Sequence, residues 1–450
     1  MKSDSKIGGG TSTCIYRHSV IACISSVLQC LEPLRDPSPK RRVRWTPQAA
    51  STAAVLMALD ADTTLEGRFQ HARTCMKRDY RGRRRTGATY NGLLKALERQ
   101  QDTVLPIVKR ELRAHVRCRC RRIDRSGRWS LLAVDGSKED LPRTRDHEAV
   151  FGIADNGRYP QAFITSIVEV HTGLPWDWRI DGARASEQHH LMDMIPELPD
   201  DALLLADAGF VGLPIWGKLS AQGTPFLIRV GGNVHLLTNL WPQSRTRQER
   251  DIVYVWPHAA RRSTPPLKLR LIKVGSGRKA VYLLTNVLDP RQLSKPAAGE
   301  IYRKRWGVEV FYRTFKRTLG CAKLRSKAAR RARIEFEWTL VAMAVLTLLG
   351  IDALVKRRRD PHRFSPAQAI RVFRDAILRQ PACGRRARDG LRRALGQCMT
   401  DDYQRRKPKQ SRHCVTTTNT PTTRLKPPIV RSATTKEKRY ALEYAKQAAA

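Results

Sequence analysis

Two short apolar runs, each ending on an aspartate, constrain the fold of this 450-residue chain most strongly. The first is Trp129–Asp135 (WSLLAVD) and the second is Ala202–Asp207 (ALLLAD). A continuous apolar run of this length is typical of a strand that is covered on both faces. Parallel strands that end together can present carboxylates at one edge of a sheet, where open α/β folds place their chemistry. A single aspartate at a strand end is more often a turn or cap residue, so this pair gains meaning only with a third acid.

The third acid lies in the segment Ile301–Lys316, which reads IYRKRWGVEVFYRTFK. Ser294 and Pro296 predict the start of a helix here, and Gly320 predicts its end. At 100° per residue, four polar side chains of this helix project from about one-sixth of its circumference. They are Tyr302, Arg305, Glu309 and Lys316. The alternative interpretation is a solvated helix face with ordinary charge pairs.

The spacing Y-x2-R-x3-E-x6-K resembles the signature helix of the DDE transposases of bacterial insertion sequences, in the IS-four branch. The resemblance implies that Glu309 is the third catalytic and metal-binding carboxylate, after Asp135 and Asp207. In this family a DNA transposase cleaves the ends of its own mobile element and joins the freed 3′-hydroxyls to target DNA. The expected activity is therefore Mg²⁺-dependent polynucleotidyl transfer.

The same resemblance implies DNA-binding roles for four other side chains. Tyr302, Arg305 and Lys316 are expected to hold phosphates of the transposon end. Arg229 lies at the end of the run PFLIRV, where related enzymes often have an arginine that contacts DNA. A structural salt bridge is an equally favoured interpretation of this arginine. The chain departs from some relatives at Val281, which occupies a position where they carry a base-stacking tryptophan. Trp241 and Trp256 could supply an aromatic surface, although core packing is the preferred interpretation for both.

The chemistry explains why three acids are sufficient. Two Mg²⁺ ions about 3.5–4 Å apart can activate an attacking oxygen and stabilise a leaving oxygen. Mg²⁺ prefers oxygen ligands and retains several waters, so no histidine or cysteine cage is needed. We expect two Mg²⁺ ions per active site, with Mn²⁺ able to substitute. Asp135 would bridge the ions, and Asp207 and Glu309 would each complete one side.

The order of predicted elements favours an α/β fold with an RNase H-like catalytic core. Three strands, a helix, a strand, a helix and a strand precede the Glu309 helix. The predicted strands are 129–135, 148–153, 161–170, 202–207 and 225–230, and the predicted helices are 186–195 and 213–222. Between 233 and 290, short stretches in which apolar and polar residues alternate predict a β-rich insertion between the fifth strand and the Glu309 helix. A helical N-terminal domain and a C-terminal helical region flank this core.

The chain is accordingly divided into six predicted regions. They are a poorly ordered segment (1–40), a helical DNA-binding domain (41–120), the first part of the core (129–232), the insertion (233–290), the second part of the core with further helices (291–400) and a basic tail (401–450). Within the tail, the composition of 405–437 predicts a disordered linker. A final short helix is expected at Lys436–Ala449, as a solvated tail in preference to an oligomerisation element.

The charge of the chain indicates a polyanionic partner. Lys and Arg total 84 against 41 Asp and Glu, for a net charge of +43. We expect double-stranded DNA as the partner, both element terminal inverted repeats and target DNA, with backbone contacts from the basic loop Lys77–Arg85. A membrane is not expected, and the apolar run Thr339–Leu349 is interpreted as a buried core helix. Pairing of two DNA ends implies a homodimer, and the expected location is the bacterial cytoplasm, at the nucleoid.

Two other classes of protein remain compatible with these residues. One is a non-catalytic DNA-binding descendant of a transposase, which would bind the element ends without cutting them. The other is an RNase H-fold nuclease, which would cleave DNA without joining it. Mg²⁺-dependent strand transfer distinguishes both from a transposase.

Overall fold

The computed structural model describes most of the chain as two compact units, one formed by residues 1–115 and 314–400 and the other by residues 116–313 and 401–450. The described residues are 20–31, 34, 44–77, 86–123, 128–155, 157–241, 251–257, 264–277, 280–320, 324–379, 385–400 and 426–449. Most of the predicted basic loop, residues 78–85, lies outside them.

Thirteen α-helices lie within the described residues. They are α1 (Val20–Val27), α2 (Pro47–Leu59), α3 (Leu65–Met76), α4 (Tyr90–Ile123), α5 (Arg145–Phe151), α6 (Glu187–Met194), α7 (Leu213–Ala221), α8 (Lys295–Arg303), α9 (Trp306–Arg313), α10 (Ala329–Val355), α11 (Pro366–Arg379), α12 (Arg385–Leu395) and α13 (Thr435–Ala449). The helix α1 corrects the prediction of poor order for that part of residues 1–40.

The first unit is helical. Its helix α2 begins with Thr46, whose hydroxyl accepts a hydrogen bond from the Ala49 N–H, and with Pro47 in the first turn, a favoured pair of start signals. α2 packs against α3 and α10. Within the described residues, α10 is the one helix long and apolar enough to cross a membrane, but 83% of its most apolar window is buried inside the fold. This agrees with the predicted core helix at Thr339–Leu349.

The second unit is built on a ten-stranded sheet in the order β10-β6-β7-β8-β9-β5-β4-β1-β2-β3. The strands are β1 (Ser130–Asp140), β2 (Gln161–Glu169), β3 (Leu174–Gly182), β4 (Ala202–Ala206), β5 (Phe226–Val230), β6 (His235–Thr238), β7 (Ile252–Val255), β8 (Leu267–Val274), β9 (Val281–Thr285) and β10 (Ile429–Ser432). β1, β2 and β3 form an antiparallel meander, and β1, β4 and β5 run parallel. The protein is thus a mixed α/β structure with one large sheet.

Three predictions for the core strands were wrong in detail. β1 does not end at Asp135 but continues to Asp140, because β2 pairs with it from Leu132 onwards. Residues 148–151 of the predicted strand 148–153 belong to helix α5, which begins where the Thr144 hydroxyl accepts the His147 N–H. β3 was missed, since its sequence LPWDWRIDG mixes apolar and charged residues; it completes the hairpin with β2.

Three alternating stretches of the predicted insertion, 252–256, 267–274 and 280–287, correspond to β7, β8 and β9. The strand at the edge of this half of the sheet, β10, comes from the C-terminal part of the chain. β10 pairs in parallel with β6, in register from Ile429↔His235 to Ser432↔Thr238. The helix α13 follows, and its Ala441 and Tyr444 join an apolar cluster with Leu237, Tyr254 and Trp256. The predicted disordered linker was therefore wrong for residues 429–437. The predicted final helix at Lys436–Ala449 is confirmed, but it is not an unattached tail. Trp256, 2% exposed, is a core residue.

The predicted helix over Ile301–Lys316 was also wrong as one continuous helix. α8 ends at Arg303, α9 begins at Trp306, and a π-helical turn, Thr314–Thr318, follows. The predicted start at Ser294 is confirmed, because its hydroxyl accepts the Ala297 N–H. Gly320 has φ +78°, a conformation that suits glycine and ends the helical segment there.

Candidate active site

Parallel pairing brings the two aspartates of the apolar runs to one level of the sheet. β1 and β4 are in register from Ser130↔Ala202 to Ala133↔Leu205, so pairing stops two residues before each aspartate. Asp135 then accepts a hydrogen bond from the Gly136 N–H (2.9 Å). Asp207 caps a short helical turn and accepts from the Gly209 N–H (2.8 Å). The sequence prediction that these two carboxylates share a sheet edge agrees with this register.

The break between α8 and α9 is fixed against the end of β2. The Lys304 ammonium lies 3.0 Å from Nε2 of His171, and Nδ1 of His171 lies 3.1 Å from the Glu169 carboxylate. A methyl group added to Gly307 would lie 2.6 Å from the Val170 carbonyl oxygen, so the start of α9 approaches the strand as only glycine allows. These residues were not singled out from the sequence, because their roles depend on contacts distant along the chain.

The break turns Arg305 and Glu309 toward Asp135. Nη2 of Arg305 donates to Oε1 of Glu309 (2.8 Å), and Nη1 of Arg305 lies 3.7 Å from Oδ2 of Asp135. All three side chains are partly buried, with 17%, 34% and 24% of their surface exposed. Arg305 therefore links the helix carboxylate to the first strand carboxylate.

Tyr302 and Tyr312 anchor this segment to the strands. The Tyr302 hydroxyl donates to the Ala206 carbonyl (3.2 Å), immediately before Asp207. The Tyr312 hydroxyl is shared between the carbonyls of Asp135 (3.0 Å) and Ile164 (2.9 Å). α9 thus packs on β1 and β2 through a hydrogen bond to the backbone of the aspartate itself. Tyr312 was not anticipated from the sequence, since it lies outside the Y-R-E-K pattern.

Arg229 and Lys316 complete the predicted set. Arg229 on β5 contributes to the electrostatic environment of the Tyr302 hydroxyl, together with Arg305 and Asp207. Lys316 lies in the π-helical turn, within the first unit, and its phosphate contact stays a prediction.

Because the carboxylates at this sheet edge are partly buried, their negative charges cost free energy. Desolvation, the largest cause, and the negative charges of Asp207 and Glu309 together raise the pKa of Asp135 to about 6. The Gly136 N–H and Arg305 oppose the shift. Desolvation also raises the pKa of Tyr302 to about 12. A carboxylate that is both desolvated and surrounded by like charge is characteristic of a functional site.

The donor set suits a hard divalent cation, because it consists of carboxylates without cysteine. In the described part of the chain, however, no three His, Cys, Asp or Glu side chains converge closely enough to hold a metal ion. The Arg305 guanidinium bonds to Glu309 and lies near Asp135, so it takes up part of the acidic charge of this edge.

Comparison with known proteins agrees with this geometry. Residues 126–346 match the family model of the transposase DDE domain. The chain carries a transposase DDE domain. It is also 24% identical, over 234 residues, to the transposase InsG for insertion sequence element IS4 of Escherichia coli (strain K12). The predicted resemblance to the IS-four branch of DDE transposases is confirmed.

The extent of these matches is limited. The match to InsG covers 48% of this chain and 50% of the relative, so the chain spans about half the length of the curated relative that it matches. The cryo-EM structure of a piggyBac transposase synaptic complex with hairpin DNA aligns over 89% of both chains, at 12% identity and a TM-score of 0.42. A likeness at that level does not establish a common fold.

Proposed function

We propose that this protein is a DNA transposase that cleaves the ends of its own mobile element and joins the 3′-hydroxyls to target DNA. The observation that supports the proposal is that the charges of Asp207 and Glu309 both act on Asp135 at one sheet edge, within the matched region. Desolvation of Asp135 among like charges supports a catalytic role, because folding alone gains nothing from such an arrangement.

The sheet supports an RNase H-like core for this domain. β1, β2 and β3 form the antiparallel meander, and β4 and β5 extend it in parallel, with the first acid on the first strand and the second after the fourth. β6 to β9 lie between β5 and the Glu309 helix, as expected for a β-rich insertion. The division of the chain into the six predicted regions is likewise a proposal.

Asp135, Asp207 and Glu309 are the residues that would hold divalent metal, and we propose two Mg²⁺ ions. When bound, the ions activate the attacking oxygen and stabilise the leaving oxygen of a phosphodiester. The chain itself supplies the desolvated edge, which strengthens each charge interaction there. It also fixes the position of Glu309, because Tyr312 binds the backbone of β1 and β2.

The cationic side chains of the site suit phosphate oxygens. Arg305 presents a planar guanidinium that can exchange its carboxylate partners for a phosphate with similar geometry. Tyr302 and Arg229 lie beside it, and Lys316 follows along the same segment. These four residues are the proposed contacts to the transposon end.

The partners follow from the reaction. Both substrates are double-stranded DNA, namely the element terminal inverted repeats and the target, and a net charge of +43 favours binding to both. Joining two ends in one event requires a homodimer in the synaptic complex. A bacterial cytoplasmic, nucleoid-associated location is the corresponding proposal, in line with the insertion-sequence origin of the relative.

The test is a cleavage and joining assay with Mg²⁺ on the DNA ends that flank the coding sequence. Wild type is compared with Glu309→Gln and with Glu300→Gln, a matched control on the exposed face of α8. We expect cut and joined products from wild type and Glu300→Gln, and bound but uncut DNA with Glu309→Gln. Binding without cutting by all three proteins would indicate a DNA-binding descendant. Cutting without joining would indicate a nuclease.

A further inference from the structure

Three side chains form a line of hydrogen bonds beside the break between α8 and α9, and the proposed reaction does not use them. They are Glu169 at the end of β2, His171 in the turn that follows, and Lys304 directly after α8. Oε1 of Glu169 lies 3.1 Å from Nδ1 of His171, and Nε2 of His171 lies 3.0 Å from the Lys304 ammonium. The line therefore runs from a buried carboxylate, 3% exposed, to a cation at the surface.

Glu169 is ionised inside the fold. Its Oε2 accepts the Thr172 N–H (2.8 Å) and the Thr172 hydroxyl, and its Oε1 also accepts the His171 N–H (3.1 Å). Desolvation by itself would raise the pKa of Glu169, but the hydrogen bonds from His171 and Thr172 outweigh it and hold the pKa below its usual value. Donors on both oxygens thus stabilise the negative charge of this carboxylate.

The two ends of the line determine where the proton of His171 lies. An ionised carboxylate only accepts hydrogen bonds and an ammonium only donates them, so Nδ1 carries the hydrogen and Nε2 accepts from Lys304. The imidazole is therefore neutral. It fixes the direction of the Lys304 ammonium without neutralising its charge.

Lys304 differs in this respect from its neighbour Arg305. Arg305 donates to Glu309 and lies near Asp135, whereas no carboxylate among the residues that the structure describes bonds to Lys304. Fixing the end of a long side chain costs conformational entropy, and a hydrogen bond to a neutral partner at the surface contributes little stability in return. The Lys304 ammonium is thus held in place in advance and keeps its positive charge for an anion that arrives from solvent.

The register of the sheet indicates which phosphate of a DNA strand this cation would meet. Asp135 pairs with Ser166 on β2, and Glu169 lies three residues further along the strand. At about 3.3 Å per residue, Glu169 lies roughly 10 Å from the level of Asp135. Successive phosphates of one strand are about 3.4 Å apart along the axis of DNA, so a strand that follows this direction places at Lys304 the phosphate about three nucleotides from the one at Asp135.

We infer that Lys304 binds a backbone phosphate of the DNA strand that enters the active site, and that His171 and Glu169 are positioning residues for its ammonium. The inference rests on the proposed function for the identity of the ligand, but on the hydrogen bonds of the three residues for its place. The close approach of Gly307 to Val170 supports it, because it holds the backbone of the break against the same end of β2.

The test measures the affinity of the full-length protein for DNA that carries the element end, with single phosphates replaced in turn by uncharged methylphosphonates. Replacing the phosphate that Lys304 binds should weaken binding by wild type and should not weaken binding by Lys304→Gln any further. On unmodified DNA, Lys304→Gln should bind about tenfold more weakly than wild type, and its slope of log affinity against log salt should be smaller by about 0.9. Lys295→Gln, an exposed lysine in the first turn of α8, is the matched control for the loss of one charge and should keep the phosphate-specific effect.

Two substitutions of His171 test the positioning role. His171→Phe keeps a ring but removes the acceptor for Lys304, and it should weaken binding about threefold, with most of the loss at that one phosphate. His171→Gln keeps an acceptor oxygen near the end of the side chain and should restore most of this loss. A purely structural role would instead lower the affinity for all the modified DNAs alike. Circular dichroism establishes that each variant is folded.

The outcomes separate this inference from the proposed function. A phosphate-specific effect that Lys304→Gln abolishes and Lys295→Gln retains supports the inference. Equal behaviour of these two variants at every phosphate overturns the contact and leaves the transposase proposal intact, and His171→Phe equal to wild type overturns the positioning role. A phosphate-specific effect without cleavage of the same DNA in Mg²⁺ supports the contact and overturns the transposase proposal. Failure of wild type to bind the element end overturns both.

Discussion

Two glutamates in the first turns of helices, Glu437 of α13 and Glu187 of α6, show two uses of a partly or fully buried carboxylate. Glu437 is 3% exposed and fully paired: Arg431 donates to both of its oxygens (2.9 and 2.6 Å), and the Thr434 N–H donates to one (2.8 Å). The Thr434 hydroxyl accepts the Glu437 N–H in return, which completes a capping box. Glu187 has only like-charged carboxylates as its strongest interactions.

The contrast extends to the two halves of the sheet. The half that ends in β10 is closed by an apolar cluster around Trp256 and by the Arg431–Glu437 pair, so its buried carboxylate is satisfied within the fold. The half that contains β1 and β4 keeps desolvated carboxylates at its edge. A buried carboxylate that is paired stabilises a fold, whereas a desolvated carboxylate beside like charge is typical of a functional site.

The largest expected effect is on catalysis. Asp135→Asn should reduce cleavage of the element ends on the order of 10³-fold, because it removes a ligand charge from the metal site. DNA binding should be unchanged, as measured by mobility shift on the same ends. Loss of both activities together would instead indicate a folding defect.

The next effect tests the paired glutamate. Glu437→Gln should destabilise the second unit by about 2 kcal/mol, because it leaves Arg431 without its charged partner. Urea unfolding followed by Trp fluorescence measures this loss, since Trp256 lies in the adjoining cluster. Glu187→Gln, by contrast, should cost no stability, because the strongest charge interactions of Glu187 are repulsive. Equal losses from both substitutions would remove the distinction between the two glutamates.

A pH series tests the half of the sheet that holds the desolvated carboxylates. The pKa of Asp135 is raised from 3.8 to about 6 on folding, so the folded state binds this proton more tightly than the unfolded state. Wild type should therefore lose stability as the pH rises from about 4 to about 6, and Asp135→Asn should not lose this part. Above pH 6 without metal, Asp135→Asn should be more stable than wild type by about 1–2 kcal/mol. A difference that did not vary with pH would contradict the desolvated state of Asp135.

The smallest effect concerns the anchor of α9. Tyr312→Phe removes the hydroxyl that donates to the Asp135 and Ile164 carbonyls, and it should cost about 1 kcal/mol of stability in thermal unfolding. Tyr159→Phe, at a tyrosine that is 51% exposed, is the matched control and should cost less. If the two substitutions were equivalent, the hydroxyl of Tyr312 would not anchor α9.

Elements with local signals could be predicted from the sequence. β4 and β5 were found because their apolar runs are continuous, and α6 and α8 because Ser186 and Ser294 cap them. The Asp135 and Asp207 pair followed from the apolar runs that precede them. In each case the information lies within a few residues of the element.

Elements set by distant contacts could not be predicted in this way. β10 has four exposed residues and no apolar alternation, and its strand conformation depends on pairing with β6. The break at Lys304 depends on His171 and on the approach of Gly307 to β2. The place of Glu187 beside the aspartates could not be predicted for the same reason, because only the fold brings α6 to the glycines that follow them.

The central claim is that the carboxylates of this sheet edge surround one metal site, and backbone cleavage by bound iron tests it most directly. Fe²⁺ replaces Mg²⁺ in the full-length protein, and ascorbate with peroxide generates hydroxyl radicals that cut the chain near the bound ion. We predict cuts within a few residues of Asp135, Asp207 and Glu309, suppressed by excess Mg²⁺ and absent in Asp135→Asn. Cuts elsewhere, or cuts at these positions that Mg²⁺ does not suppress, would contradict a shared metal site.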